Sequence, residues 1–246
     1  MKFNEMRIPI FYLFIMVMTF ISCNRESQME PEKVLEASQR YYDPQDQWKT
    51  SRIDLHIIEP RISNPARYSK ITLNNKDQSF VLERNRDEHI SLHKIDSLGE
   101  ASVTLDGLPV QDSLTIAKYR LNPERNFGYR AFYQKLVGLP MSIHVNELNK
   151  NMKSSVVIFD KRSCYQLNIQ LEEAIISKTW KIYVDYETYE LIGLEILSED
   201  GDQEGERIYF EGEVDINGML IPRMRHWYSL GQEVYGGSDL IINSNG

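Results

Sequence analysis

Beyond residue 50 apolar and polar residues alternate with the two-residue period of a strand that buries one face. The pattern predicts strands at Arg52 to Ile58, Tyr68 to Asn74, Ser79 to Arg84, His89 to Ile95 and Ala101 to Asp106. It is cleanest after Lys153. There Tyr165, Leu167, Ile169 and Leu171 share a face, as do Trp180, Ile182 and Val184, then Ile192, Leu194 and Ile196, then Ile208, Phe210 and Val214, with a break at Gly212. Met219 to Tyr228 and Glu233 to Ile242 complete the series. Asn74-Asn75-Lys76-Asp77, Asn85-Arg86-Asp87, Asp185-Tyr186-Glu187-Thr188, Asp200-Gly201-Asp202 and Asn217-Gly218 mark the reversals, because short polar residues and glycine tolerate left-handed turns.

Two stretches have a helical period instead. Pro31 opens one that runs to about Tyr42, with Val34, Ala37, Ser38, Tyr41 and Tyr42 on one side and Asp43-Pro44 as its stop. Asn122-Pro123-Glu124 opens the other, which is aromatic on more than one side and ends at Gly138-Leu139-Pro140. The fold class is therefore mainly β with two helices (α+β). Ten or eleven antiparallel strands rarely stay flat, so the expected shape is a curved sheet or incomplete β-barrel with the helices as a lid on its concave side.

The first residues read differently. Lys2 and Arg7 precede an apolar run of 14 residues, Ile8 to Ile21, that ends at Ser22-Cys23. This is the layout of a secretory signal, and it falls short of the ~20 residues that a membrane-spanning helix needs. The expected organisation is a signal peptide over 1–22, a lipidated Cys23 with a polar tether to residue 30, and a single domain over 31–246. Without Lys2, Arg7 and Glu5 the chain's 28 basic and 36 acidic residues become 26 and 35. So acidic a surface is expected to repel nucleic acid and anionic lipid headgroups. With Cys23 acylated, Cys164 stands alone in a strand-like run and is expected to pack as a small hydrophobe.

Specific strings narrow the reading. Tyr42-Asp43-Pro44-Gln45-Asp46-Gln47-Trp48, Gly138-Leu139-Pro140-Met141, Lys181-Ile182-Tyr183-Val184-Asp185 followed by Glu187-Thr188-Tyr189, and Asn217-Gly218-Met219-Leu220-Ile221-Pro222 occur in that order. Phe20-Ile21-Ser22-Cys23 resembles a relaxed lipobox, which implies acylation of Cys23. From about Val34 to Ile242 the chain resembles an uncharacterised family of exported Bacteroidota proteins of the LolA/LolB-like lipoprotein-carrier class. That resemblance implies the half-barrel with a helical lid and an apolar cavity. Tyr42 stands where the family often has histidine.

Catalytic patterns are missing. The sequence contains no Gly-x-Ser-x-Gly elbow, phosphate-binding glycine loop or dinucleotide fingerprint. His89 and His93 share a strand face but lie ~13 Å apart at ~3.3 Å per residue, too far for one metal ion; both are expected to be solvated. The expectation is no enzyme, no metal and no cofactor.

The residues that suggest a function cluster around the second helix. Phe127, Tyr129, Phe132, Tyr133, Leu136 and Met141, with Leu167, Ile182, Leu194, Phe210 and Trp227 from the strands, are candidates for a hydrophobic ligand cavity. Arg130, Arg223 and Arg225 are candidate anchors for a carboxylate or phosphate, which guanidinium pairs bidentately. The leading expectation is a lipoprotein anchored by Cys23 in the cell envelope, at the outer membrane since no Asp follows Cys23, that binds a lipid or acyl chain. The alternative is an envelope interaction or sensor module with a dry core, whose partner is another envelope protein. A tether this short reaches at most ~25 Å, which keeps the domain close to its membrane.

Overall fold

The computed structural model describes residues 29–242, apart from 63, 150, 151, 153 and 200 and the side chains of 201–203. The expected signal peptide, Cys23 and most of the expected tether lie outside the described residues.

One antiparallel sheet carries the fold. Its strands are β1 (Arg52–Glu59), β2 (Arg67–Asn74), β3 (Phe80–Arg86), β4 (His89–Ile95), β5 (Ala101–Leu105), β6 (Ser155–Phe159), β7 (Arg162–Ile175), β8 (Ser177–Asp185), β9 (Leu191–Ser198), β10 (Gly201–Ile216), β11 (Met219–Ser229) and β12 (Tyr235–Ile242). They lie in the order β5-β4-β3-β2-β1-β12-β11-β10-β9-β8-β7-β6. All twelve neighbour one another through hairpins except at β1 and β12, which join the two wings with His56 opposite Ile242. The β10 to β11 reversal is a tight hairpin: Asn217 (φ 58°) and Gly218 (φ 82°) both take the left-handed conformation that a type I′ turn requires.

The helices are α1 (Pro31–Tyr42), α2 (Ser113–Tyr119) and α3 (Arg125–Val137). The strand β6 and the helix α2 are additions to the sequence-based reading. The chain leaves one sheet edge at β5 and re-enters at the other as β6, carrying α2 and α3 across the face between them. α3 touches β2 and β4 on one wing and β7 on the other. In a flat sheet β4 and β7, nine positions apart, would be separated by ~43 Å at ~4.8 Å per strand, whereas a helix is only ~10 Å across. The sheet therefore curls around α3, and since β5 and β6 do not pair it remains an open half-barrel.

Packing explains why the helices sit there. α1 buries Val34, Leu35, Ser38 and Tyr42, a stripe at helical spacing whose aliphatic members each contribute ~1.5–3 kcal/mol by burial. The same stripe is pinned to the turn between β8 and β9: Ser38 Oγ donates to the Tyr189 carbonyl at 2.9 Å, and the Leu191 N–H donates to the Tyr42 hydroxyl at 3.0 Å. Asn126 pins the start of α3, its amide donating to the Lys94 and Ser102 carbonyls at 3.0 and 2.9 Å. Gly138 caps α3, and a Cβ there would come within 2.1 Å of the Trp48 ring, so glycine is what lets the indole close on the helix end. Val34, Leu35 and Tyr42 join Tyr133, Leu136, Val137 and the inward residues of the sheet in one core.

Candidate functional site

The inner face of the half-barrel changes character along its length. Toward the end formed by the β2 to β3 and β10 to β11 turns, its residues are Ile53, Leu55, Ile57, Ile71, Leu73, Phe80, Leu82, Ile221 and Ile241, all buried in the core. The same strand parity toward the other end places Glu59, Arg67, Ser69, Arg84, Arg86, Arg225 and Asp239 on that face. Apolar residues at that end come chiefly from α3 and the β7 to β8 turn. Between them opens a cleft of about 840 Å³, lined by those turn and helix residues and by six arginines, Arg61, Arg67, Arg84, Arg86, Arg120 and Arg125.

Its floor is an ionic network. Arg84, only 5% exposed, donates to Ser69 Oγ at 2.9 Å, to Glu59 Oε1 at 3.1 Å and to the Tyr133 hydroxyl. Arg67 Nε lies 2.7 Å from the second oxygen of Glu59. Beside it Asp239 accepts from Arg61 Nη2 at 2.9 Å and from the Trp227 indole at 2.7 Å. Burial, reinforced by Glu59, lifts the Asp239 carboxyl above its usual range despite Arg61, and burial likewise lifts Glu206. Burial also pushes the Tyr133 phenol up to about 12.

The mouth is differently composed. Arg86 Nη2 donates to the Tyr129 hydroxyl at 3.2 Å, the Arg125 guanidinium sits 6.0 Å from the centre of the Tyr129 ring, and Arg120 is the left-handed residue (φ 58°) that caps α2. None of these three arginines is within 4.0 Å of a carboxylate among the described residues. Burial alone would raise the Tyr129 phenol, yet Arg125, Arg86 and Arg84 outweigh it and bring it below its ordinary value. The apolar wall is Ala131, Phe132 and Trp227, the last two stacked at 6.4 Å, with Ile175 and Ile176 at the rim.

The expected cavity residues are distributed unevenly. Tyr129, Phe132, Tyr133 and Trp227 line the cleft. Leu136, Leu167, Ile182 and Leu194 are buried in the core, with Phe127 and Phe210 half-buried against it. Met141 lines a smaller hollow of about 310 Å³ beside Trp48. Of the expected anchors, Arg130 donates to the Gln78 carbonyl at 2.9 Å and Arg223 is exposed. Arg225 is 1% exposed, and none of its guanidinium nitrogens hydrogen-bonds to a protein atom. Burial brings its pKa down to about 10.

The cleft arginines themselves are absent from the sequence-based expectation. A signal for them existed: Arg84 and Arg86 continue the parity of Phe80 and Leu82, Glu59 that of Ile57, and Asp239 that of Ile241, so each belongs to the inner face.

One histidine departs from the expectation. His93 is fully buried rather than solvated; Nδ1 faces Asn126 Oδ1 at 2.9 Å. Because the Asn126 amide is committed to two carbonyls, its oxygen accepts and His93 Nδ1 carries the proton. Burial first, then Arg86, Arg84 and Arg125, push the His93 pKa down to about 4. On the outer face Ser238 Oγ, His226 and Glu211 form a chain at 2.7 and 3.1 Å. Ser238 is 8% exposed and its hydroxyl also lies 2.5 Å from the Tyr235 hydroxyl. Cys164 is fully buried, and burial raises its thiol to about 11. Among the described residues no helix is long and apolar enough to cross a membrane, and no three His, Cys, Asp or Glu side chains gather as a metal site requires.

A model described as a family of unknown function (DUF6503) matches residues 9–237. The chain belongs to that family. No curated protein matches it. Among solved structures it is similar to a LolA superfamily protein, NE2245, from Nitrosomonas europaea (9% identity, TM-score 0.49). It is also similar to an outer membrane lipoprotein-sorting protein domain from Vibrio parahaemolyticus (12%, 0.47) and to a DUF1329 family protein from Desulfovibrio piger (13%, 0.49). Each match covers 87% of this chain and 92% of the other. At such identities and overlaps a neighbour's role does not transfer, and the functional reading of this DUF6503 member rests on its own cleft.

Proposed function

We propose that this DUF6503 protein is a cell-envelope lipoprotein, tethered through acylated Cys23 at the outer membrane, that receives the apolar part of an amphiphile in the cleft between α3 and the curled sheet and performs no catalysis on it. One observation carries this reading: a cleft of about 840 Å³ that the curl of the sheet holds open. Its volume suits a ligand of lipid size, and its Phe132 and Trp227 wall offers the apolar surface that such a ligand would cover.

The position of the tether adds an orientation. Met29 packs by Ser154 and Tyr189, on the side of the β8 to β9 turn, whereas the mouth lies at the β7 to β8 turn. The nine residues of β8 separate those ends by ~26 Å. An upright domain therefore presents its mouth away from its own membrane, as suits an acceptor loaded from solution.

Native mass spectrometry of the full chain released from membranes tests the reading. Retained amphiphile that disappears in Ala131→Trp, with the fold intact by circular dichroism, is the expected result; equal loading of both proteins contradicts it. Acylation is read separately, from the mass of the peptide beginning at Cys23 and from release of Cys23→Ser into the soluble fraction.

A further inference from the structure

The arginines at the cleft mouth have more positive charge than the protein neutralises. Arg84 and Arg67 share Glu59, and Arg61 has Asp239. Glu124 and Glu206 also line the cleft, yet among the described residues Arg86, Arg120 and Arg125 have no such partner within 4.0 Å, although the chain as a whole is acidic, with a net charge of −8. Arg86 is half-buried, and its Nε is shielded from solvent without a hydrogen-bond partner. Its neighbours on the inner face include Arg84, and both Arg67 and Arg120 repel it. Like charges gathered in a partly desolvated place are unfavourable unless an anion joins them.

We propose that Arg86, Arg120 and Arg125, with the Tyr129 hydroxyl, hold the phosphomonoester head of an amphiphile whose tail lies along Phe132 and Trp227. This rests on the reading of the cleft as an amphiphile site. Three guanidinium groups match a phosphate better than a carboxylate, because a phosphomonoester offers three terminal oxygens and about −1.5 to −2 charges near neutral pH, whereas a carboxylate offers two oxygens and one charge. Guanidinium forks bind such oxygens through paired, charge-assisted hydrogen bonds. The geometry leaves the donors available. Arg120 and Arg125 are exposed at the rim, Arg86 is held by Tyr129 at 3.2 Å, and the apolar wall begins within the same cleft at Ala131 and Phe132. A ligand with a charged head and a greasy tail is thus met in the right order, head at the mouth and tail inside.

The test uses the full chain carrying Cys23→Ser, so that its own acyl groups do not compete, and displacement of the neutral probe N-phenyl-1-naphthylamine at low ionic strength. Oleoyl lysophosphatidic acid, monooleoylglycerol and glycerol 3-phosphate are compared; the first two differ only in the phosphate, and the last is the head without a tail, read by its competition with the lysophosphatidic acid. The lysophosphatidic acid is expected to bind about tenfold or more tighter than monooleoylglycerol. That preference is expected to collapse toward onefold in the triple variant Arg86→Gln, Arg120→Gln, Arg125→Gln and to persist in Arg52→Gln, an exposed arginine at the other end of the sheet. Equal binding of the two lipids, or a preference that survives in the triple variant, overturns the phosphate site while leaving the amphiphile reading in place. If neither lipid displaces the probe but glycerol 3-phosphate binds directly by calorimetry and is lost in the triple variant, the phosphate site stands and the amphiphile reading falls. No binding of any of the three overturns both.

Discussion

Two groups of arginines on opposite faces of one sheet solve the problem of charge in different ways. On the outer face Arg207 reaches Glu195 through two nitrogens at 2.9 and 2.7 Å and Glu233 through a third contact at 2.7 Å. The other oxygen of Glu195 accepts from the Tyr183 hydroxyl at 2.8 Å, and the guanidinium lies 5.9 Å from the centre of the Phe159 ring. Charge is matched and donors are satisfied, as they are where a group supports the fold. At the cleft mouth Arg86 and Arg125 share Tyr129, and neither they nor Arg120 has a carboxylate within ion-pair distance among the described residues. The contrast separates an arginine that holds the sheet from arginines whose counter-charge comes from outside the chain.

The largest expected effect breaks the paired side. Glu195→Ala strands a mostly buried Arg207 and the Tyr183 hydroxyl, and urea unfolding is expected to show a loss of about 3 kcal/mol, since removing one member of a buried pair leaves the other uncompensated. A loss below ~1 kcal/mol would mean that Glu233 alone suffices.

Next in size is a pH effect that senses the unpaired side. His93 has a folded pKa of about 4 against ~6.5 unfolded. The unfolded chain then takes up a proton that the folded chain refuses, so stability contributed by neutral His93 is present above ~6.5 and is lost as pH falls toward 4, by about 3 kcal/mol in all. Asp239 and Glu206, with raised pKa values, act in the opposite sense. The quantity to measure is therefore the difference in unfolding free energy between the wild type and His93→Gln from pH 7.5 to 4. Arg86→Gln is expected to raise the His93 pKa, read by NMR titration, because one of the charges that hold the ring neutral is gone.

Arg225 occupies the ground between the two groups, as buried as any core residue and without a hydrogen-bonded partner. Arg225→Met is expected to stabilise the protein by about 1–3 kcal/mol, raising Tm by about 2–4 °C per kcal/mol for a chain of this size. A fall in Tm would show that the attraction of Asp239 holds it in place. The smallest effect belongs to Arg120→Gln. With no internal partner to lose, it is expected to change stability by less than ~0.5 kcal/mol, while it weakens binding of an anionic ligand.

The strands that bury one face were legible because Ile, Val, Leu and aromatic residues alternate with polar ones along them. β6 was not, since Val156-Val157-Ile158-Phe159 is an unbroken apolar run at a sheet edge, where Ile158 stays 72% exposed and period carries no signal. α2 is seven residues long, too short for helical period to show, although Asp112 capping Thr115 at 2.8 Å is a start signal that can be read from the letters. The cleft was hidden for a different reason. Arg84, Arg86, Glu59 and Asp239 look like members of a wet face until their parity is followed from the apolar end of each strand. The aromatic surplus of α3 pointed to the right helix, but Leu136 faces the core and Phe132 the cleft, a division that depends on where the sheet curls.

The central claim is that ligand enters between α3 and the sheet. Photolabelling of the full chain with a diazirine-bearing oleoyl lysophosphatidic acid, followed by peptide mass mapping, tests it most directly. Adducts confined to the α3 segment around Phe132 and the β11 segment around Trp227, and abolished by excess unlabelled lipid, are the expected result. Labelling centred on the outer face around Tyr209 and Tyr228, or spread evenly over the chain, would contradict it.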